Sequence, residues 1–480
     1  MCDTAETSAL SFATSGTKSV LPFPETQGDR TMTTEADPLG IVSGAPIGFT
    51  DALTYPYFQS VFDRKSRRVA LGMTVESDVI DYSSPYEPVP LSELEEALLV
   101  MAGTGLNGLA LADLDPNRGM STLVQWTNRT WPSACSNHGT ELFWSNDSGL
   151  WWLDIFKMVP EPGEVSTLSG RPMDEQADFI VDLYRRAKVR LHEGRAQLPT
   201  TLPGLFDFNQ WNANKPGTTL FVPITNMTME YINVLFIYLA RSYAFNIVDE
   251  RNGGRSAGLQ EWVDSGRVNK NVKMGMIELE NRVLSMMVVE QAFICQNLNL
   301  AMQALGLGGW TFTGYLPKFV MGGGDVLGLG FRFNEDNEGN TYAVGRDGYF
   351  EAYVPPYYKD MGEAVDAFMA MKWGAMDADV SKPYKTESMN EAFTGAIPRP
   401  HEETVEMVKA YCQYAYDTYG RFPVAMDPMY QRLTTQVQHI DTDFYDKYYP
   451  EGAYSGQHAN HFHRWHPEMC DHDGKPPRKQ

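Results

Sequence analysis

The chain has 480 residues, 43% of them hydrophobic and 12% aromatic, and a formal charge of −22. That is enough apolar matter for a large core, while the acidity argues against a nucleic-acid partner. The longest apolar runs, such as VLFIYLA from Val234 to Ala240, fall far short of the roughly 20 residues that cross a bilayer, so no membrane span is expected.

Five cysteines, Cys2, Cys135, Cys295, Cys412 and Cys470, are far apart and never form a CxxC pair. That argues against both a disulfide framework and a cysteine zinc site, and a reducing cytoplasm fits best. Residues 1–50 are rich in Thr, Ser, Gly and Pro without a sustained period, which reads as a flexible leader. Their start lacks the basic and apolar regions of a secretory signal. Next comes DRKSRR, Asp63 to Arg68, a compact basic cluster made conspicuous by the acidity around it. LSELEEALLVMAG then predicts a helix: Ser92 as N-cap with Glu95 at N3 is a capping box, and Leu94, Leu98 and Met101 recur at helical spacing.

From about 110 to 225 the sequence is loop-rich and carries Trp126, Trp131, Trp144, Trp151, Trp152 and Trp211. One helix is expected there, over MDEQADFIVDLYRRAKVRLHEG, acidic at its start and basic at its end. MTMEYINVLFIYLARSYAF reads as a second, buried helix. FRFNEDNEGNTYAVGRDGYFEAYV gives two β-like runs around a turn-rich middle, a hairpin or a strand leaving the core. Residues 336–480 read as a helical C-terminal extension, in which PHEETVEMVKAYCQYAYDTYG opens on Pro400 and closes on Gly420.

The most informative stretch is MMVVEQAFICQNLNLAMQALGLGGW, Met286 to Trp310, a central helix that carries amides within apolar surroundings. Glu290 and Asn297 share one stripe, and Ser285, Gln296, Asn299 and Gln303 cluster on a roughly opposite one. A helix apolar nearly all round is expected to be buried, and buried amides need partners. Those partners are either a symmetry-related helix or a polar ligand. LGLGGW predicts a left-handed cap at Gly306.

EQAFICQNLNLAMQALGLGGW resembles the central-helix signature of the FMN-dependent nitroreductase superfamily, an acidic residue, Q-N-L, an apolar stretch and A-x-G-L-G. RKSRR, Arg64 to Arg68, followed by PVPLSELEEALL, resembles the opening motif of the same family, and the likeness covers roughly residues 55–335. It implies an α+β fold, a mixed sheet flanked by helices, forming a flavin domain over residues 51–335 that carries the 110–225 insertion. It also implies an intertwined homodimer with FMN at the subunit interface. Carried over residue by residue, Arg64 and Ser66 would hold the FMN phosphate and Arg68 would reach the pyrimidine edge of the flavin. Asn107 would hydrogen-bond the flavin. Planar arginine suits a dianionic phosphate, and a cation beside the ring favours its reduced, anionic form. Lys318, Arg332 and Arg346 remain alternatives for a second phosphate ligand. The chemistry implied is electron transfer from NAD(P)H to a planar aromatic, nitro or quinone-type small-molecule acceptor. No catalytic residue is assigned.

The tail QHANHFHRWHPEMCDHD holds His458, His461, His463, His466, His472 and Cys470. On a helical wheel these histidines spread over more than half the circumference, so no one face presents a tetrahedral set, and no metal ligands are assigned. A flavin-poor dimeric scaffold and a metal-assisted enzyme using this tail stand as alternatives. GxSxG, HExxH, Walker A and strand-linked GxGxxG motifs are missing, and MGGGDVLGLG has the wrong glycine spacing.

Overall fold

The strands that build the core alternate large side chains to opposite faces, as the two-residue period of a pleated strand requires. The computed structural model describes residues 45–109, 127–158, 171–323, 328–377, 386–396 and 399–480. The proposed leader therefore lies outside the described residues apart from 45–50, and so do parts of the aromatic insertion. Helices and sheets combine in an α+β architecture. Its main sheet contains β1 (Thr140–Asn146), β2 (Gly149–Leu153), β3 (Lys188–Glu193), β4 (Thr219–Asn226), β5 (Gly308–Phe312), β6 (Met429–Tyr430) and β7 (Thr434–Gln438). The spatial order is β5-β7-β4-β1-β2-β3, with β6 also paired to β4, and all these pairings are antiparallel. Among the described residues a parallel pairing lies in a smaller sheet, between Phe245–Asp249 and Asn269–Gly275.

Both faces of the main sheet are covered. Phe143, Leu220, Val222 and Ile224 enter one apolar core with the helix Met227–Tyr238. Their neighbours Leu142, Trp144 and Phe221 enter a second core beneath the helix Glu93–Thr104. The central helix, Met276–Leu305, runs 30 residues, about 45 Å at 1.5 Å per residue. Met276, Leu279, Val283 and Met287 belong to the first core, and Ile294, Leu298 and Met302 to the second. It begins ten residues before the Met286 expected from sequence.

The capping box is present, with Ser92 Oγ accepting from Glu95 N at 3.4 Å and Glu95 Oε2 accepting from Ser92 N at 2.7 Å. Gly306 closes the central helix at φ +79°, and Gly420 closes Glu402–Tyr419 at φ +72°. The hairpin is formed by Arg332–Glu335 and Thr341–Arg346. Three expectations change. The helix over 173–194 stops at Ala187, where the alternating KVRLHE continues as β3 against β2. The central helix is not buried all round: Val289 and Phe293 are 40% and 43% exposed, and Arg282, Ser285 and Gln296 share that open side. Finally, the amides away from that open side are satisfied within the chain. Gln291 donates to Thr225 Oγ1 and Tyr430 O, Asn297 to Thr130 O, Asn299 to Thr311 Oγ1 and Gln303 to Ser455 Oγ. They do not call for a second subunit. The C-terminal segment is largely helical and also supplies β7, which sits inside the sheet between β5 and β4.

Candidate ligand cavity and a buried histidine cluster

After the short helix Tyr57–Asp63 the chain runs extended along the rim of the sheet. Arg67 N donates to Gly309 O at 3.1 Å, Gln438 Nε2 donates to Arg67 O at 2.8 Å, and Asp441 N donates to Val69 O at 3.1 Å. Ala70 and Ile440 form an antiparallel bridge. An extended segment sends successive side chains to opposite sides, so Arg67 and Val69 turn inward while Ser66 and Arg68 turn outward.

This segment forms one wall of a cavity of about 470 Å³. Lys65, Ser66, Arg67 and Arg68 line it with Trp211, Phe444, Tyr445 and Tyr449, and no Asp or Glu is among the lining residues. The helix Thr442–Tyr448, capped by Asp441, presents Phe444 and Tyr445. Arg67 is 7% exposed. Its Nη1 donates to Ser66 O at 2.9 Å, its guanidinium lies 5.6 Å from the Tyr445 ring centre, and its Nε has no hydrogen-bond partner among the described residues. Burial pushes its pKa down. Arg68 lies 3.9 Å over the Trp310 ring, which stacks on Phe312, an arrangement that holds a guanidinium plane in place.

The residues singled out from sequence separate here. Ser66 and Arg68 line the cavity, whereas Arg64 is exposed outside its lining. Asn107 is exposed on the strand Leu106–Leu109 and is not a lining residue either. Arg332 is paired with Asp347, and Arg346 Nη1 donates to Gly330 O at 2.6 Å; neither they nor Lys318 line the cavity. Sequence reasoning missed Lys65, Arg67, Tyr445 and Tyr449. Alternation from Ser66 could have flagged Arg67 as the inward residue, but the tyrosines lie almost 400 residues away in the chain.

The histidine-rich tail is divided between tasks. His458 Nδ1 bonds Ser455 Oγ at 2.8 Å in the capping box of the helix Gly456–Trp465, and His463 and His472 are exposed. His461 and His466 meet His439, just beyond β7, and Glu95 of the capping box. His461 Nε2 lies 2.9 Å from His439 Nδ1 and 3.0 Å from Glu95 Oε1, and His466 Nε2 lies 3.2 Å from the same oxygen. All four are buried. Burial would raise the Glu95 carboxyl, but the facing His439, His461 and His466 hold it well below the usual carboxylate range. Burial pushes His439 down to about 3.

A further polar group lies inside the first core. Lys372 Nζ donates to Asn233 Oδ1 at 2.6 Å, and Asn233 Nδ2 donates to Glu230 Oε2 at 3.3 Å. Burial pushes Glu230 up to about 8 and Lys372 down to about 8.

No protein-family model matches the chain, and no curated protein matches it. Among solved structures it is similar to the crystal structure of a putative nitroreductase from Ralstonia eutropha JMP134, at 13% identity and a TM-score of 0.24, over 55% of this chain and 73% of that one. No helix among the described residues is long and apolar enough to cross a membrane.

Proposed function

We propose that the chain is an FMN-dependent oxidoreductase that takes electrons from NAD(P)H and passes them to a planar aromatic, nitro or quinone-type acceptor. The observation that carries this reading is the cavity at RKSRR: three cations, aromatic walls and no carboxylate in its lining, in a chain whose formal charge is −22. Its volume of about 470 Å³ falls within the roughly 300–1,000 Å³ of small-molecule sites. The residues fit the group. A phosphate monoester carries about −1.5 to −2 at neutral pH, and Arg67 offers it a buried N–H without an acceptor. Lys65, Ser66 and Arg68 add donors, while Trp211, Tyr445 and Tyr449 supply flat faces for a ring system. Bound there, FMN would supply the two-electron redox couple. The Arg68 cation would favour whichever form of the ring carries negative charge.

A homodimer is part of the same proposal. Val289 and Phe293 on the open side of the central helix, with Tyr57, Phe58 and Phe62 on the helix packed beside it, are exposed apolar groups that a second copy would cover. Light scattering that gives a monomer at micromolar concentration removes this part.

The test is reconstitution with FMN and with riboflavin, read by flavin fluorescence. If the cations seat the phosphate, FMN binds at least about tenfold tighter than riboflavin, a difference of about 1.4 kcal/mol. Anaerobic NAD(P)H then bleaches the bound flavin and an acceptor restores it. Equal affinities for FMN and riboflavin, or no binding of either, would overturn the reading.

A further inference from the structure

We propose that Glu95, His439, His461 and His466 bind one zinc ion, as a structural staple joining the start of the helix Glu93–Thr104, the chain beyond β7 and the C-terminal helix. The four ligand atoms come from three separate elements and all lie within 4.8 Å of one another. Zinc bonds of about 2.0–2.2 Å in a tetrahedron set ligand atoms roughly 3.3–3.5 Å apart. The 2.9, 3.0 and 3.2 Å separations here are close to that.

The independent argument is where the protons must be. His461 Nδ1 faces Leu305 O at 2.7 Å and His439 Nε2 faces Pro90 O at 3.3 Å. A carbonyl only accepts, so these nitrogens carry hydrogen, and in neutral rings His461 Nε2 and His439 Nδ1 are bare lone pairs. They face each other at 2.9 Å, and the former also faces the Glu95 carboxylate at 3.0 Å. Something positive must lie among them. A single added proton joins one pair of atoms, whereas a cation at the centre satisfies all four.

The surroundings match a metal site beyond its ligands. Ligating histidines commonly donate their other ring N–H to a backbone carbonyl, as both rings do here. Glu95 is 0% exposed, and its Oε2 is taken up by Ser92 N and Ser92 Oγ, each at 2.7 Å, leaving Oε1 for the cluster. Three nitrogens and one oxygen without a thiolate suit zinc, and four protein ligands make a closed site of the structural kind. A cavity of about 210 Å³ that touches His439 and His461 gives an ion a way in.

The experiment uses the full chain without an affinity tag, purified free of chelator, with zinc measured by mass spectrometry. One zinc per chain is expected. After removal with a chelator, added zinc should restore the melting temperature, and cobalt should give the strong visible absorption of a tetrahedral site. Glu95→Gln, which keeps a capping-box residue at N3, and His466→Ala should each weaken zinc binding at least about tenfold. His463→Ala with His472→Ala should retain it in full. A metal-free protein that gains no stability from zinc and gives no tetrahedral cobalt spectrum overturns the proposal in favour of a shared proton. Zinc content lost with the exposed histidines instead would also overturn it.

Discussion

Replacing Gln291 by methionine tests whether the amides of the central helix serve this chain or something outside it. Gln291 is 0% exposed. Its Nε2 donates to Tyr430 O at 2.8 Å and to Thr225 Oγ1 at 2.9 Å, and its Oε1 accepts from Arg432 N at 3.0 Å. Methionine conserves the volume, so little cavity cost enters. Thr225 keeps its 2.7 Å bond to Thr140, which leaves Tyr430 O, Arg432 N and, at 3.4 Å, Leu433 N to lose the amide. At about 1–3 kcal/mol for each buried polar group deprived of a partner, and with Arg432 near the surface, Gln291→Met should cost about 2–4 kcal/mol. Gln296→Met on the open side of the helix should stay within about 0.5 kcal/mol. Urea unfolding followed by circular dichroism measures both. If Gln291→Met also stays within about 0.5 kcal/mol, the link from the central helix to β6 and the turn after it does not hold the amide, and the in-chain account of these residues fails.

The contribution of Glu230 and Lys372 to stability should pass through a minimum near pH 8. Glu230 is raised from 4.5 to about 8 by burial, so its protonated form contributes stability that is full below the ordinary carboxyl range and is lost as pH rises through about 8. Lys372, lowered from 10.5 to about 8, binds fewer protons folded than unfolded above that pH, so stability recovers there. Glu230→Gln should flatten the fall between pH 5 and 8, worth about 2–4 kcal/mol at about 1.4 kcal/mol per unit, and melting curves of both proteins across that range check it. An unchanged slope would mean that Glu230 does not carry the effect. In the cavity, Arg67→Gln should weaken FMN by about tenfold to a hundredfold, as loss of a charge-assisted bond implies. Arg64→Ala should shift it less than about threefold, with fluorescence titration deciding between them.

Local signals in the sequence were legible because they depend on neighbours along the chain. The Ser92–Glu95 capping box and the left-handed caps at Gly306 and Gly420 need only one or two turns of helix. The stripe shared by Glu290 and Asn297 was readable for the same reason, and both are turned toward the loop before β1, where Asn297 bonds Thr130. What a single element could not show were contacts that join segments far apart in the chain. A helical wheel on the C-terminal tail tests whether a single face holds a tetrahedral set. The observed cluster instead draws two histidines from that region, a third from beyond β7 and a carboxylate from a capping box. In RKSRR, the analogy selected Arg64, Ser66 and Arg68, but an extended backbone turns Arg67 inward. The amides were left to a symmetry-related helix or a ligand because β6 and the turn after it, which receive Gln291, lie about 140 residues further along.

The two proposed sites share backbone, and that coupling can be measured. His439 sends its ring into the histidine cluster while its carbonyl accepts from Leu71 N at 3.1 Å. On either side, Gln438 Nε2 holds Arg67 O at 2.8 Å and Asp441 N holds Val69 O at 3.1 Å. The basic wall of the cavity is thus pinned to the three or four residues that carry His439. Fixing that ring with a metal should lower the freedom of the strap holding Arg67, and an unpinned strap must be ordered again each time a ligand binds. Removing zinc should therefore weaken FMN several-fold, and returning zinc should restore it. Riboflavin, which has no phosphate for Arg67 to hold, should respond less. The assay is a fluorescence titration of the metal-free and zinc-loaded proteins at one pH and ionic strength. If FMN affinity is the same in both while zinc content differs, the strap is ordered by its sheet bonds alone, and the histidine cluster stabilises the fold without reaching the cavity.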